Sequence, residues 1–403
     1  MESPADGDGF ACEDGHFPWY ELSYPRRGGK LRAYVLRRHR LALVDKSLAP
    51  AGVRRLAGER VARVVSRFPL CDEVTRKCSV ARMVERAGGA RSRYLTPETF
   101  CVPSEAEALA ARVGRVSSNT EELWILKPTN GSVGQGIRVV RRGGVMEAVR
   151  EITQGVLEDE EDTHVVQRYV ENPALVAGRK FDLRVYGLLV KPASGEWRSY
   201  ICKEGYARVS KQAYSADTLE DMDVHVTNRC FPKEEYFKKA PLIDKLQMSA
   251  VLSGLVVEGG HRGVWEQLKS STGRILALVR LDLMGKMDLA TFPGISFYQL
   301  FGLDFLVDAA GRVHLMEINS NPNMGAGSPV DIAAKAQAVA GALDLVMGPG
   351  TGKDIVLGCL SGTQEGVQSQ LFAEGGVFGA DERARDARHC YEEVTEGAVA
   401  VES

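Results

Sequence analysis

Phe301-Gly302-Leu303-Asp304-Phe305-Leu306-Val307 and, five residues later, Val313-His314-Leu315-Met316-Glu317-Ile318-Asn319-Ser320-Asn321-Pro322 are the stretches that decide how this chain is read. Two apolar runs flank Asp308-Ala309-Ala310-Gly311-Arg312, which predicts a β-hairpin with a short glycine-containing loop. Side chains alternate along a strand, so Glu317 and Asn319 share one face while Met316 and Ile318 take the other. With an even-numbered connection Asp304 joins the Glu317 face, opposite or diagonal to it. Two carboxylates and an amide oxygen then converge within an otherwise apolar sheet. Unpaired carboxylates are costly to bury, so a cation is expected between them. An all-oxygen set without His or Cys favours magnesium over zinc, and magnesium held by few protein ligands commonly accompanies a nucleotide phosphate.

Working outward, Trp124-Ile125-Leu126-Lys127-Pro128-Thr129-Asn130-Gly131-Ser132-Val133-Gly134-Gln135-Gly136-Ile137 reads as a strand and a glycine loop, with a second strand following. Three glycines in six residues let backbone N–H groups approach an anion closely. No Lys-Ser/Thr follows the last glycine, so this is not a P-loop. The order G-x-x-G-x-G before a strand is not a dinucleotide-binding fingerprint either. Lys127 beside that loop points to a phosphate clamp. In Val165-Val166-Gln167-Arg168-Tyr169-Val170, Gln167 and Tyr169 share a face and could border a purine, or simply pack in a core. In Gly178-Arg179-Lys180-Phe181-Asp182-Leu183-Arg184-Val185, period two puts Lys180, Asp182 and Arg184 on one face. Such a ladder is either a solvent-facing edge or a cationic lining suited to a triphosphate. Arg208 follows within Glu204-Gly205-Tyr206-Ala207-Arg208, and His225-Val226-Thr227-Asn228 offers short polar contacts. His225 is either a base or a structural histidine.

With 403 residues, 44% of them apolar and 26% charged, the chain has the composition of a soluble globular protein of two or three domains. Residues 21–70 carry thirteen Lys and Arg against three acids, a surplus of ten, which suits a polyanionic partner. Tyr34 is the lone aromatic between Tyr24 and Phe68, too few for base stacking, so nucleic acid is not the expected partner. Eight scattered cysteines without a C-x-x-C pair suggest neither zinc site nor disulfide framework and fit a reducing compartment. The N-terminus lacks a signal-peptide pattern, and no apolar run approaches the ~20 residues a membrane helix needs.

The expected fold class is α+β. The chain divides into a disordered N-terminus (1–19), a small basic α/β domain (20–120), a catalytic region (121–347, its central part 121–204 and its C-terminal part 205–347) and a poorly ordered tail (348–403). Strands are expected at 33–36, 123–127, 137–141, 164–170, 180–190 and 197–203. Helices are expected at 51–65, 75–87, 104–113, where Ser104 and Glu107 form a capping box, 241–257, 261–283 and 330–347. The acidic run Glu158–Asp162 reads as a solvated loop.

In order, Phe68-Pro69 with Glu73-Val74-Thr75-Arg76-Lys77, Trp124–Pro128, Gly134–Ile137, Gln167–Tyr169, Gly178–Arg184, Glu204-Gly205 with Arg208, His225–Asn228, Phe301–Asp304 and Glu317–Pro322 resemble the tubulin–tyrosine ligase and ligase-like family, across roughly residues 66–347. The resemblance implies antiparallel ATP-grasp sheets flanked by helices. It also implies that Lys127 and Lys180 bind ATP phosphates, with Gly134, Gly136 and Ile137 in the clamping loop. Gln167, Arg168, Tyr169 and Val170 line the adenine pocket; Asp182, Thr227 and Asn228 contact the nucleotide. Asp304, Glu317 and Asn319 hold Mg2+. Arg184 and Arg208 face the reacting carboxylate, and Lys335 binds the incoming amino acid. The implied activity is ATP-dependent ligation of a free amino acid, tyrosine or glutamate, to acidic tubulin tails through an acyl phosphate. The implied setting is cytoplasmic, on microtubules of the cytoskeleton or cilium. Asn228–Lys233 and Ser296–Phe301 look closer to the tyrosine ligase proper, and residues 240–295 match poorly. A non-catalytic microtubule-binding module, or a ligase for another acidic protein, are the alternatives.

Overall fold

The computed structural model describes residues 20–23, 30–36, 40–44, 49–58, 62–88, 95–115, 122–129, 134–154, 161–227, 243–324, 328–352 and 387–395; at 20–23, 30–36, 55–58 and 387 only the backbone is described. In chain order the first elements are β1 (Tyr20–Ser23), β2 (Lys30–Leu36), β3 (Leu41–Val44), α1 (Pro50–Gly58), β4 (Val64–Val65), α2 (Cys71–Val74) and α3 (Lys77–Arg86). There follow β5 (Thr99–Val102), α4 (Ala106–Gly114), β6 (Leu123–Pro128), β7 (Arg138–Arg141), α5 (Val145–Ile152), β8 (His164–Arg168) and β9 (Leu175–Val176). Next come β10 (Arg179–Lys191), β11 (Arg198–Cys202), β12 (Tyr206–Ser210), α6 (Met222–His225), β13 (Ile243–Gln247), α7 (Met248–Ser253) and α8 (Gly260–Lys286). The chain ends with β14 (Ser296–Val307), β15 (Val313–Asn319), α9 (Pro329–Met347) and β16 (Tyr391–Glu393).

Two long strands, β10 and β14, form an antiparallel spine from Leu183↔Phe305 to Lys191↔Phe297. Each changes partner along its length. On its other edge β10 pairs with β12 over Phe181–Arg184 and with β11 over Gly187–Val190. β14 pairs with β15 over Gly302–Val307 and, in parallel, with β4 at Ser296–Phe297. The resulting twelve-stranded sheet is mixed, because β3–β4 is parallel as well. Both parallel pairings involve β4, from the region expected to be a small α/β domain; the pairings among strands of 121–347 are antiparallel, as expected. A second sheet, ordered β5-β8-β6-β7, is antiparallel throughout.

Phe181, Leu183, Val185, Phe301, Leu303 and Phe305 belong to the main core with Leu268, Ile275 and Leu276 of α8. On the opposite face of the spine, Tyr186, Leu188 and Val190 pack with the alanines of α9. That alanine-rich helix packs there with Ala334, Ala338 and Ala342 wholly buried, while Ser328 caps its N-terminus by accepting from the Asp331 N–H. This apolar stretch gives way, one residue pair down, to Arg184, Asp182 and Lys180. There the two sheets face each other across a cleft.

Two helix expectations are corrected. Among the described residues of 51–65 the helix runs to Gly58, and Val64-Val65 instead fills a parallel slot between β3 and β14, where β-branched side chains suit a strand. Ile243–Gln247 is a strand that satisfies the free edge of β12, and only Met248–Ser253 is helical. The Ser104 capping box does not form: Ser104 Oγ bonds Asp162, and α4 starts behind Glu105, whose carboxylate accepts the Cys101 N–H. Asp162 is correspondingly no solvated loop residue, its side chain being 4% exposed. Within the tail, β16 extends the large sheet beside β11, and Tyr391 Oη donates to the Ala338 carbonyl in α9. Among the described residues no helix is long and apolar enough to cross a membrane.

Candidate active site

The loop between β14 and β15 has five residues, so an unbroken ladder would set Asp304 opposite Met316. A bulge between Asp304 and Phe305 shifts the register, giving Phe305↔Leu315 but Asp304↔Glu317. Leu315 and Ile318 therefore both enter the core, while Met316 and Glu317 both line the cleft. Met316 was expected on the Ile318 face; the extra residue moves it. Asn319, opposite Gly302, donates weakly to Asp304 Oδ2 at 3.4 Å and to the Gly302 carbonyl at 3.3 Å.

The β10 ladder is buried, which excludes the solvent-facing reading: Lys180, Asp182 and Arg184 are 5%, 6% and 7% exposed. Arg184 stands in register with Asp304 and grips it twice, Nε–Oδ1 at 2.5 Å and a terminal nitrogen to Oδ2 at 3.0 Å. Arg208, opposite Asp182 on β12, bonds both Asp182 Oδ1 at 2.6 Å and Asp304 Oδ2 at 2.9 Å. Thr227 Oγ1 donates to the other oxygen of Asp182. Burial would raise the Asp304 carboxyl, but the two guanidinium groups outweigh it and bring the group down to about 2. Burial likewise opposes the charge on Arg208, yet Asp182 and Asp304 hold it well above the ordinary arginine value.

Two lysines reach the cleft from opposite sheets. Lys127, on β6, donates to Gln167 Oε1 at 2.7 Å, and Gln167 Nε2 in turn donates to Thr99 Oγ1 at 2.9 Å. Lys180 donates to Tyr169 Oη at 2.7 Å and to the His225 carbonyl at 2.9 Å. Because the Thr218 carbonyl at 2.9 Å can only accept, His225 Nε2 carries the proton; Nδ1 then accepts from the Tyr169 hydroxyl at 2.8 Å. His225 is thereby a positioning residue rather than a base, and burial keeps its pKa low. Burial also lowers Lys127 to about 8 and, reinforced by the nearby Lys127 charge, Lys180 to about 7. Both ammonium groups donate to protein oxygens and would gain from an anion.

The cleft is open to solvent and combines convergent charged groups with apolar walls. Lys77, Lys127, Lys180 and Arg208 line it with Asp182, Asp304 and Glu317; Ile125, Ile137, Tyr169, Val170, Leu306 and Met316 supply flat apolar walls. Gly134 is at its rim. Gly134 and Gly136 adopt φ of +73° and +70°, open to glycine at no cost. The sequence reading missed Lys77, whose ammonium lies 3.5 Å from Glu317 Oε1. It stands in the Glu73–Lys77 segment, whose charge pattern gave no hint that α3 points its first turn at the hairpin.

Other expected residues stand apart. Arg168 turns away, paired with Glu122 and Glu171 over the Trp124 ring. Gln167 acts on the cleft through Lys127. Lys335, on α9, forms a 2.9 Å ion pair with Asp331, which Lys245 also holds at 2.7 Å; Arg184 is near enough to feel its charge. Asn228, Asn130 and Gly131 lie outside the described residues, as do Arg26, Arg27, Arg37, Arg38 and Arg60 of the basic 21–70 segment. Arg67 of that segment is buried, bonding Asp72 and Asn321, and is not available to a partner.

The donor set suits a hard cation. Asp304 Oδ1 accepts one of the carboxylate's contacts and Oδ2 the others, Glu317 has one loose ion pair at 3.5 Å, and the Asn319 amide nitrogen faces Asp304, leaving its oxygen as a donor.

A mixed α/β chain thus encloses, between two sheets, a cleft of buried lysines, arginines and paired carboxylates whose charges suit an anion. The chain belongs to the tubulin-tyrosine ligase family, whose sequence model matches residues 56–355; membership implies the ATP-grasp fold. It is 27% identical over 277 residues to the probable tubulin polyglutamylase ttll-9 of Caenorhabditis elegans, covering 65% of this chain and 63% of that protein. It is 25% identical over 294 residues to the human tubulin monoglutamylase TTLL4, covering 70% and 23%. It is 30% identical over 225 residues to the rat protein polyglycylase TTLL10, covering 50% and 31%. The matched segments thus span less than two thirds of these relatives' lengths.

Proposed function

We propose that this chain is an ATP-dependent carboxylate–amine ligase that adds tyrosine or glutamate to the acidic C-terminal tails of tubulin. The observation that carries this reading is the meeting, in one cleft, of Lys127, Lys180, Arg184 and Arg208 with Asp304 and Glu317. The triphosphate would lie between the two lysines and below the turn holding Gly134 and Gly136, with the purine between the apolar walls. Asp304, Glu317 and Asn319 would hold Mg2+, which when bound neutralises phosphate charge.

An oxygen of the acceptor carboxylate attacks the γ-phosphorus, the bond to the bridging oxygen breaks, and ADP leaves with its electron pair. Arg184 and Arg208 stabilise the charge spread over the transferring group. The amine of the free amino acid then attacks the acyl carbon and expels inorganic phosphate, losing one proton as the amide forms. Lys335 would hold the amino acid. The names of the matched relatives support tubulin as acceptor and favour glutamate, whereas the local resemblance at 296–301 favours tyrosine. The proposed setting is the microtubule cytoskeleton in the cytoplasm.

The test is incorporation of each labelled amino acid into purified tubulin with ATP and magnesium. Transfer of tyrosine or glutamate supports the reading; no transfer of any amino acid overturns it.

A further inference from the structure

Three chain segments far apart in sequence bring two thiols and a carboxylate together outside the cleft. Cys78 comes from α3, Cys101 from β5 and Asp162 from the approach to β8, and their ligand atoms lie within 4.8 Å of one another. Both sulfurs are buried, Cys78 at 5% and Cys101 at 0% exposure, and both are free thiols. Cys101 Sγ lies 3.8 Å from the Cys78 carbonyl, so its side chain lies against the backbone of its partner residue. Cys78 Sγ also meets Thr129 Oγ1 at 3.3 Å. Arg82, one turn along α3 from Cys78, is paired with Asp162, and its charge reaches both sulfurs.

We propose that Cys78 and Cys101 are a modification site: a dithiol that an oxidant of the peroxide class closes into a disulfide. The alternative use of such a cluster is a zinc site, and the geometry disfavours it. The Asp162 carboxylate is already taken by the Ser104 N–H at 2.9 Å, the Ser104 hydroxyl at 3.0 Å and Arg82. A closed structural zinc site needs four strong ligands, and the remaining neighbours are a hydroxyl and the His164 carbonyl. Two adjacent thiols beside a guanidinium need no further ligand to react.

The chemistry balances. The Cys78 thiolate attacks one peroxide oxygen, the O–O bond breaks, and a sulfenic acid forms as hydroxide leaves and takes up the proton the thiol had released, giving water. The Cys101 sulfur then displaces water from that sulfenic sulfur; the net change is two thiols and one hydrogen peroxide to one disulfide and two waters. Cys101 is the more deeply buried of the two, 0% against 5% exposed, which assigns Cys78 as attacker and Cys101 as resolver; the hydrogen bond from Cys101 also pulls the Cys78 thiol below its ordinary value against the cost of burial. The site adjoins the cleft without belonging to it: Lys77 precedes Cys78, and Thr129 lies two residues after Lys127. The bond would fasten α3 to the smaller sheet and withdraw Cys78 from Thr129.

The experiment treats the whole native chain with dilute hydrogen peroxide, blocks remaining thiols by alkylation, and maps the digest by mass spectrometry. The expected result is a cross-linked Cys78–Cys101 peptide, 2 Da lighter than the reduced pair by loss of two hydrogens, in most chains and released by dithiothreitol. In Cys101→Ser, Cys78 should be trapped by dimedone as its sulfenic acid; in Cys78→Ser, Cys101 should stay unmodified. Recovery of both residues alkylated after oxidation overturns the proposal, and the wild-type chain gives that answer whether or not the variants fold. Stoichiometric co-purifying zinc that disappears in either serine variant overturns it as well.

Discussion

Arg184 and Asp304 sit directly opposite each other on β10 and β14, and their side chains meet at 2.5 Å on the cleft face of the spine. Arg208 closes on the same carboxylate from β12. Removing Asp304's charge therefore takes the buried Arg184 guanidinium's carboxylate away, while Arg208 keeps only Asp182. Asp304→Asn is expected to destabilise the fold by about 3–5 kcal/mol, the cost of breaking a buried pair, as well as abolishing ATP turnover. Glu317 is less enclosed, its side chain 22% exposed with a single loose ion pair. Glu317→Gln should lower magnesium-dependent ATP turnover at least ~100-fold, the scale of weakening one element of the electrostatic stabilisation of the transferring phosphoryl group, here the magnesium that Glu317 would hold, at nearly unchanged denaturant midpoint. Urea melts paired with ATPase assays check both; equal destabilisation by the two substitutions would refute the distinction.

Much of that arrangement was legible beforehand because β10 is long and regular. Period two in Lys180-Phe181-Asp182-Leu183-Arg184 assigns the two faces, and Phe181 and Leu183 mark the core side; that the polar face is buried as well had no local signal. The hairpin was legible as a pairing, and Asp304 does stand opposite Glu317 as expected, though by a bulge rather than by an even-numbered connection. Across the actual five-residue loop an unbroken ladder would set Asp304 opposite Met316, and the bulge restores Glu317 to that place. A bulge follows from how Leu315 and Ile318 both reach one core, a tertiary demand with no local signal. Val64-Val65 and Ile243–Gln247 were misread for the same reason: each forms a strand because a sheet edge beside it needs a partner.

Lys180 gives the cleft a pH signature. Its folded pKa, about 7, lies below the ordinary lysine value of 10.5 because it is buried. Between these values the unfolded chain binds more protons than the folded one, so the lysine's destabilising effect is fully present below about pH 7 and is relieved as pH rises toward 10.5. An anion bound at Lys180 favours the charged form, so ATP binding above pH 7 should take up protons. Calorimetric titrations at pH 8 in buffers of different ionisation enthalpy measure this uptake. Lys180→Met should reduce it and weaken ATP binding; unchanged uptake would show that the proton goes elsewhere.

Gly136 tests the clamping turn. It holds φ of +70°, and a Cβ there would lie 2.9 Å from Pro128 Cγ, in the residue after Lys127. Gly136→Ala thus combines a left-handed strain of about 1–2 kcal/mol with a push on the strand end that carries Lys127. ATP affinity is expected to fall roughly tenfold, which is what ~1.4 kcal/mol amounts to, with the thermal midpoint lowered only slightly because the turn lies at the rim of the cleft. Fluorescent-nucleotide titration and a thermal melt read the two effects separately. Unaltered affinity would show that this turn does not contact the nucleotide.

Lys335 separates the amino-acid site from the nucleotide site. It is buried on α9 beside Asp331, and burial lowers its pKa even though that carboxylate opposes the shift. Lys245 holds the other oxygen of Asp331 at 2.7 Å, so Lys335→Met leaves the carboxylate paired and the helix seated. The expected outcome is a rise in KM for the incoming amino acid of at least tenfold, roughly the loss of one charge-assisted hydrogen bond worth about 1.5–3 kcal/mol, with ATP affinity unchanged. Steady-state kinetics at saturating ATP, alongside direct nucleotide titration, make the comparison. A parallel loss of ATP binding would place Lys335 in the nucleotide site and remove it from amino-acid recognition.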